Sequence, residues 1–214
     1  MFRLFDFILQ FIKPLRVGLE AAEISVPEKL ARIAEKEWER NIEEKTHQIN
    51  LEITAMFDNN GWGSWLRSVD GGGCPNGYLR PPDPDWCGQA VAHYVLKMSP
   101  SPNKKMARKV LVSTYRLNQK DKWLQCDVSF PLVEDSGDIQ RGDIVVVRWE
   151  NGKEYGDHIT LAVSDLKEDG TFDTIEGNAK GELPNGSGRG LVKQNRKKDQ
   201  VARVYRLTKE HFNQ

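Results

Sequence analysis

Disulfide scaffolding is the first thing this sequence cannot supply: its 214 residues carry only three cysteines, Cys74, Cys87 and Cys126, too few and too scattered for a framework. They also lack the paired C-x-x-C and histidine spacing of a structural zinc site, and the Asp58-Asn59-Asn60-Gly61 stretch lacks the ligand spacing of a calcium loop. No metal and no cofactor is expected. Cys74 and Cys126 are able to pair in an oxidising compartment, which would leave Cys87 as the unpaired thiol. Neither sign of charge is in excess, since 31 Lys and Arg face 31 Asp and Glu, so the total gives no support to a nucleic-acid-binding protein. Long hydrophobic runs are missing too. The most apolar stretch, Met1 to Lys13, is broken by Arg3, Asp6 and Gln10 and stops at Pro14, short of the ~18 unbroken apolar residues of a spanning helix. With a weak basic region and Asp6 in its centre, it is not a convincing signal peptide either. There is no internal repeat and no low-complexity segment.

What is present reads as helices first and strands afterwards. Leu4, Phe5, Ile8, Phe11, Ile12 and Leu15 recur at helical spacing and predict an amphipathic segment over 1–24. Its apolar face packs on the body of the domain or a sister chain, or docks the protein to a membrane, a virion or a delivery complex. A domain over 25–214 follows. Ser25-Val-Pro-Glu28 has the form of a capping box, and Leu30, Ile33, Ala34, Trp38 and Ile42 then repeat at helical spacing, with charges on the other face through Lys45. From Asn59 to Pro84, glycines, prolines and asparagines predict a long ordered loop holding Trp62, Trp65 and Tyr78. Helices are expected over 85–98 and 103–117. Beyond Asp138 the texture turns period-two and β-branched, predicting strands over 144–149, 158–163, 171–175 and 201–207. Turns at Glu150-Asn-Gly-Lys153 and Glu168-Asp-Gly170 make neighbouring strands antiparallel. The pattern is α+β, with N-terminal helices packed on a C-terminal antiparallel β-sheet. The positive run after Arg189 (Lys193, Arg196, Lys197, Lys198, Arg203, Arg206 and Lys209) reads as a solvated basic face or a contact for an anionic envelope polymer.

Chemistry concentrates around Asp83-Pro-Asp-Trp-Cys-Gly-Gln-Ala90. The prolines end a loop and the apolar run that follows is a buried helix, so Cys87 lies in its first turn. Unpaired N–H groups and the helix dipole there favour a thiolate and an oxyanion. A lone buried cysteine is otherwise an inert core residue. Of the four histidines, His93 lies six positions along the same helix, about 240° round from Cys87; His47 sits in a charged stretch and His211 near a terminus. His158 remains, opening a strand. Glu176 and Asn178 follow the next strand, two apart, so both leave one face of an extended chain. One of them can fix the His158 tautomer while the other supports the site. Trp86 either lines a substrate groove or packs. Asp143, in a Gly-Asp turn, reads as a turn stabiliser.

At Trp86-Cys87 heading a helix, Gly142-Asp143-Ile-Val-Val before a strand, His158 opening the next, and Ile175-Glu-Gly-Asn178, the chain resembles the CHAP family, cysteine- and histidine-dependent amidohydrolases and peptidases of the papain-like superfamily. The likeness spans about Leu30 to Leu207. Ala90 stands where the family often has an aromatic, and Thr160 where it has a small residue. The resemblance implies a papain-like fold, Cys87 as nucleophile, His158 as base, and Glu176 and Asn178 as residues that orient the base or complete the site. It also implies peptidoglycan amide or peptide bonds as substrate, with the protein made in the cytoplasm and acting on the cell wall as a virion-borne lysin or an exported lytic effector. The competing reading is a non-catalytic docking component that keeps the fold.

Overall fold

The computed structural model describes residues 24–43, 87–98, 132–133, 138–148 and 158–212. The helices expected over 1–24 and 103–117, the loop at 59–84, Trp86, Cys74, Cys126 and His47 lie outside the described residues. Helices α1 (Val26–Trp38) and α2 (Cys87–Met98) accompany strands β1 (Leu132–Val133), β2 (Ile144–Val147), β3 (His158–Ala162), β4 (Thr171–Leu183), β5 (Gly186–Lys197) and β6 (Val201–Tyr205). The strands form one sheet in the order β1-β6-β2-β3-β4-β5, and each neighbouring pair is antiparallel. The fold is mixed α+β. Among the described residues no helix is long and apolar enough to cross a membrane.

Helix α1 begins where the capping pattern places it: Ser25 Oγ accepts from the Glu28 N–H at 3.3 Å, with Pro27 in the first turn. Only half of the box forms, because the Glu28 carboxylate engages Arg32 at 2.6 Å and Arg141 at 2.8 Å. The helix ends at Trp38 rather than running on to Lys45. Asn41 takes the left-handed conformation (φ 55°) and donates its N–H to the Trp38 carbonyl at 3.0 Å, a turn no helix survives. Ile42 is still buried, but as a strand-like contact in which its carbonyl accepts from Leu191 N–H at 2.9 Å.

Leu30, Ala31 and Ala34 form the buried stripe of α1, while Ala90 to Leu96 of α2 are buried on every side. A helix apolar all round needs cover all round, and α2 has α1 against it on one side and β3 and β4 on another. In β2 all four residues are buried. Ile144 and Val146 join the core beneath the helices, and Val145 and Val147 join a second cluster with Ile139, Phe172 and Val204. This two-sided burial follows from the alternation of side chains along a strand, and each such branched residue contributes about 1.5–3 kcal/mol.

Two features tie α1 to the sheet. Gly142 has φ 91°, and a Cβ there would lie 2.1 Å from the Pro27 carbonyl oxygen, so only glycine lets the turn before β2 touch the first turn of α1. Beside it, Arg141 forks onto the Glu35 carboxylate with two bonds of 2.7 Å. Asp143 does stabilise its turn, accepting from Gln140 N–H at 2.8 Å and from Arg206 Nε and Nη2 at 2.8 and 2.9 Å.

The sheet departs from the sequence reading at β4 and β5. Strand β4 runs eight residues past Ile175, and β5 was not expected at all. The basic run is likewise not a single solvated face: Arg196 is buried on Glu176 and Arg206 is turned onto Asp143, whereas Lys197, Lys198 and Lys209 are exposed. Long guanidinium side chains within reach of buried carboxylates turn inward, because an unpaired buried carboxylate is the costlier arrangement.

Candidate active site

Cys87 is the first residue of α2 and only 6% exposed. The N–H groups of a helix's first turn have no partner within the helix and carry the positive end of its dipole. No acidic residue stands in that turn to compete for them.

His158 opens β3, where the register sets it opposite Val147 of β2, and it is 3% exposed. It hydrogen-bonds Cys87 through its side chain, and its Nε2 lies 3.1 Å from Glu176 Oε2. With Nε2 committed to the carboxylate, Nδ1 is the ring nitrogen left for the thiol. The structure thus joins three residues that the sequence singled out, from a helix start, a strand start and the following strand. Burial works against a charge on His158, yet the facing Cys87, by charge and hydrogen bond, and then Glu176 outweigh it and push the imidazole up to about 10. The protonated ring is favoured.

Glu176 is fully buried and surrounded by donors. Arg196 on β5 grips it in a two-pronged pair, Nε to Oε1 at 2.7 Å and Nη2 to Oε2 at 2.6 Å. Thr174 Oγ1 donates to Oε1 at 2.5 Å from two residues back on β4, the spacing that puts two side chains on one face of a strand. Burial alone would raise its pKa, but Arg196 and His158 reverse the sign and hold it at about 2. Sequence reasoning missed both Arg196 and Thr174. The signal that was available is Pro184-Asn185-Gly186, a run of turn residues; Pro184 and Asn185 form the loop that turns β4 back as β5 and brings Arg196 alongside Phe172.

Asn178 is placed differently from the expectation. The β4–β5 register breaks between Glu176 and Ala179, and Asn178 adopts φ 57°, so regular alternation does not set its side chain beside that of Glu176. Its Oδ1 accepts from Arg189 Nη2 at 3.2 Å.

The other described histidines have structural settings. His93 is fully buried with Nε2 3.2 Å from Glu37 Oε2, and Glu37 also accepts from Lys97 and Arg40. His211 Nδ1 accepts from the Thr208 N–H at 3.0 Å. Thr160, fully buried, donates its hydroxyl to the Ile175 carbonyl at 3.1 Å, so a polar residue is accommodated at this position of β3. Ala90 is fully buried against the core.

Among the described residues no group of three or more His, Cys, Asp or Glu is arranged to hold a metal. What the arrangement offers instead is a thiol, a protonatable ring and an ionised carboxylate in sequence, at the positive end of a helix. Comparisons with protein-family models, with curated proteins and with solved structures return no match to this chain.

Proposed function

We propose that the chain is a papain-like cysteine hydrolase that cleaves an amide or peptide bond of peptidoglycan. The observation that carries the chemistry is the Cys87–His158–Glu176 series, in which the ring bonds the thiol on one side and the carboxylate at 3.1 Å on the other. The substrate class rests on the resemblance to the CHAP family at Trp86-Cys87, His158 and Ile175-Glu-Gly-Asn178.

In this reading Cys87 Sγ, its proton held by His158, attacks the amide carbonyl carbon. First-turn N–H groups of α2 hold the resulting oxyanion. The C–N bond breaks as His158 gives its proton to the departing amine, leaving a thioester on Cys87. Water then attacks the thioester, His158 takes the water proton, the C–S bond breaks and the free acid leaves. Glu176 stays ionised throughout and keeps the ring oriented. Asn178, on the β4 bulge and bonded to Arg189, stands apart from this series, and Trp86, next to Cys87 in the sequence, is assigned to substrate contact by the resemblance alone.

The test is release of soluble fragments from purified peptidoglycan of several wall types, with mass spectrometry of the products. Wild type is expected to cleave, and Cys87→Ala to fold normally with turnover lost. Activity retained by Cys87→Ala would sink the mechanism. No cleavage by folded wild type on any wall would favour the docking component.

A further inference from the structure

We propose that Arg196 is a positioning residue of this site: by gripping both oxygens of Glu176 it keeps that carboxylate ionised and aimed at His158, and so holds the His158 proton available to the reaction. The inference rests on the cysteine-hydrolase reading and adds a fourth member to the series.

Geometry makes the case. Glu176 has no exposed surface, and Arg196 is 6% exposed. A carboxylate buried so completely would be protonated without a compensating cation, and a protonated Glu176 would no longer stabilise an imidazolium. Two cations reach it. His158 is one, but its charge is the quantity to be explained; the guanidinium of Arg196 is the other. The bonds are arranged in pairs: Oε1 receives Arg196 Nε and Thr174 Oγ1, while Oε2 receives Arg196 Nη2 and His158 Nε2. The guanidinium plane therefore fixes the carboxylate plane, and Oε2 cannot turn from the ring without breaking the fork. A lysine would supply the charge but not the plane.

The surroundings leave few other groups to take over. From α2 the groups acting on this region are Cys87, bonded to His158, and Tyr94, two turns further along, which is fully buried and within electrostatic range of Glu176. From β4 come Thr174 and Glu176 itself, and from β5 Arg196. Tyr94 is neutral, since burial first and the charges of Glu37 and Glu176 next drive its pKa well above the usual value. Arg196 is then the one fixed positive charge among the described groups bonded to Glu176.

The experiment follows the His158 ring by NMR across pH in the full-length protein, for wild type, Arg196→Lys and Arg196→Gln, alongside the rate of Cys87 alkylation by iodoacetamide at pH 6, mapped by mass spectrometry. Variants are compared where circular dichroism and a cooperative melt show the native fold. Arg196→Gln is expected to lower the His158 midpoint by at least about one pH unit, a tenfold loss of imidazolium above that midpoint, and to slow alkylation in step. Arg196→Lys is expected to fall between, with partial rescue. A residue with a merely structural role would move the melt and leave the midpoint in place, so an unchanged midpoint in either folded variant overturns the proposal. Failure of both variants to fold also overturns it, assigning Arg196 to stability. A wild-type His158 that titrates near 6.5 would overturn this role and the activated-cysteine reading together. A raised wild-type midpoint that falls in Arg196→Gln, in a protein that cleaves no wall, would uphold Arg196 and reject only the substrate.

Discussion

Replacing Glu176 by glutamine tests the centre of the site with a change of one atom. The side chain has no exposed surface and takes four hydrogen bonds, two from Arg196, one from Thr174 and one with His158. Each carboxylate oxygen faces an Arg196 N–H, so whichever way the new amide is turned, its NH2 group meets a guanidinium donor. The variant therefore loses a charge-assisted bond and strands a buried cation. Removing one partner of a buried ion pair costs about 3–5 kcal/mol, a large part of a total stability of roughly 5–15 kcal/mol. For a domain of this size that lowers the melting temperature by about 6–20 °C. Linkage gives a second estimate: a carboxyl held at about 2 against an ordinary 4.5 stabilises the folded state by about 3 kcal/mol once ionised. The assay is urea unfolding followed by tryptophan fluorescence at several pH values. At neutral pH Glu176→Gln should be less stable by the amounts above. Toward acid the gap should close, because wild type loses its advantage as Glu176 protonates. A variant within ~0.5 kcal/mol of wild type at pH 7, the scatter of ordinary surface changes, would refute a buried, charged Glu176.

Wild type itself should be most stable between roughly pH 5 and 6.5, as the linkage of three groups requires. Glu176 and Glu37 are both held at about 2 in the fold, so their contributions are complete above 4.5 and fade as pH falls toward 2. His158 is pushed up to about 10, so its contribution is complete below 6.5 and is lost as pH rises through 10. A melting temperature that is flat from pH 3 to 9 would contradict all three. At the junction of α1 and the sheet, Gly142→Ala puts a Cβ 2.1 Å from the Pro27 carbonyl at φ 91°; left-handed strain and overpacking together predict a loss of about 2–5 kcal/mol. An unchanged urea midpoint would show that the turn moves away freely.

Much of this was legible in the sequence, for identifiable reasons. The start of α1 carries its own cap in Ser25, α2 is an apolar run after a proline-rich loop, and β2, β3 and β6 are β-branched. Each signal is local, and each element forms where it points. Cys87 and His158 could be picked out because each opens an element, and such starts are readable; Glu176 was picked out as following a strand expected to end at Ile175, whereas it lies within β4. Strand β5 could not be read from periodicity, since Gly186, Gly188, Gly190, Arg189, Lys193 and Arg196 leave it no apolar alternation; it is held by pairing to β4. Arg196 looked like one charge in a solvated run because its partner lies 20 residues away. The halt of α1 at Trp38 is followed by Asn41 at φ 55° and by the contact of Ile42 with Leu191, which lies across the fold and out of reach of any local signal.

That same contact also lies on the border of the sheet. Among the described residues strand β5 borders the sheet, with β4 on one side, and a bordering strand of twelve residues is a template on which another molecule's backbone can assemble. Halfway along, the outer side of β5 is already taken: Leu191 N–H donates to Ile42, and Glu43 bridges Gly190. Around that block stand Arg189, Lys193 and Lys197, and positive charge of this kind discourages aggregation along a strand border. The short segment after α1 thus occupies part of the border that fibre-like stacking would need, and shortening it is expected to increase self-association, read by light scattering against wild type.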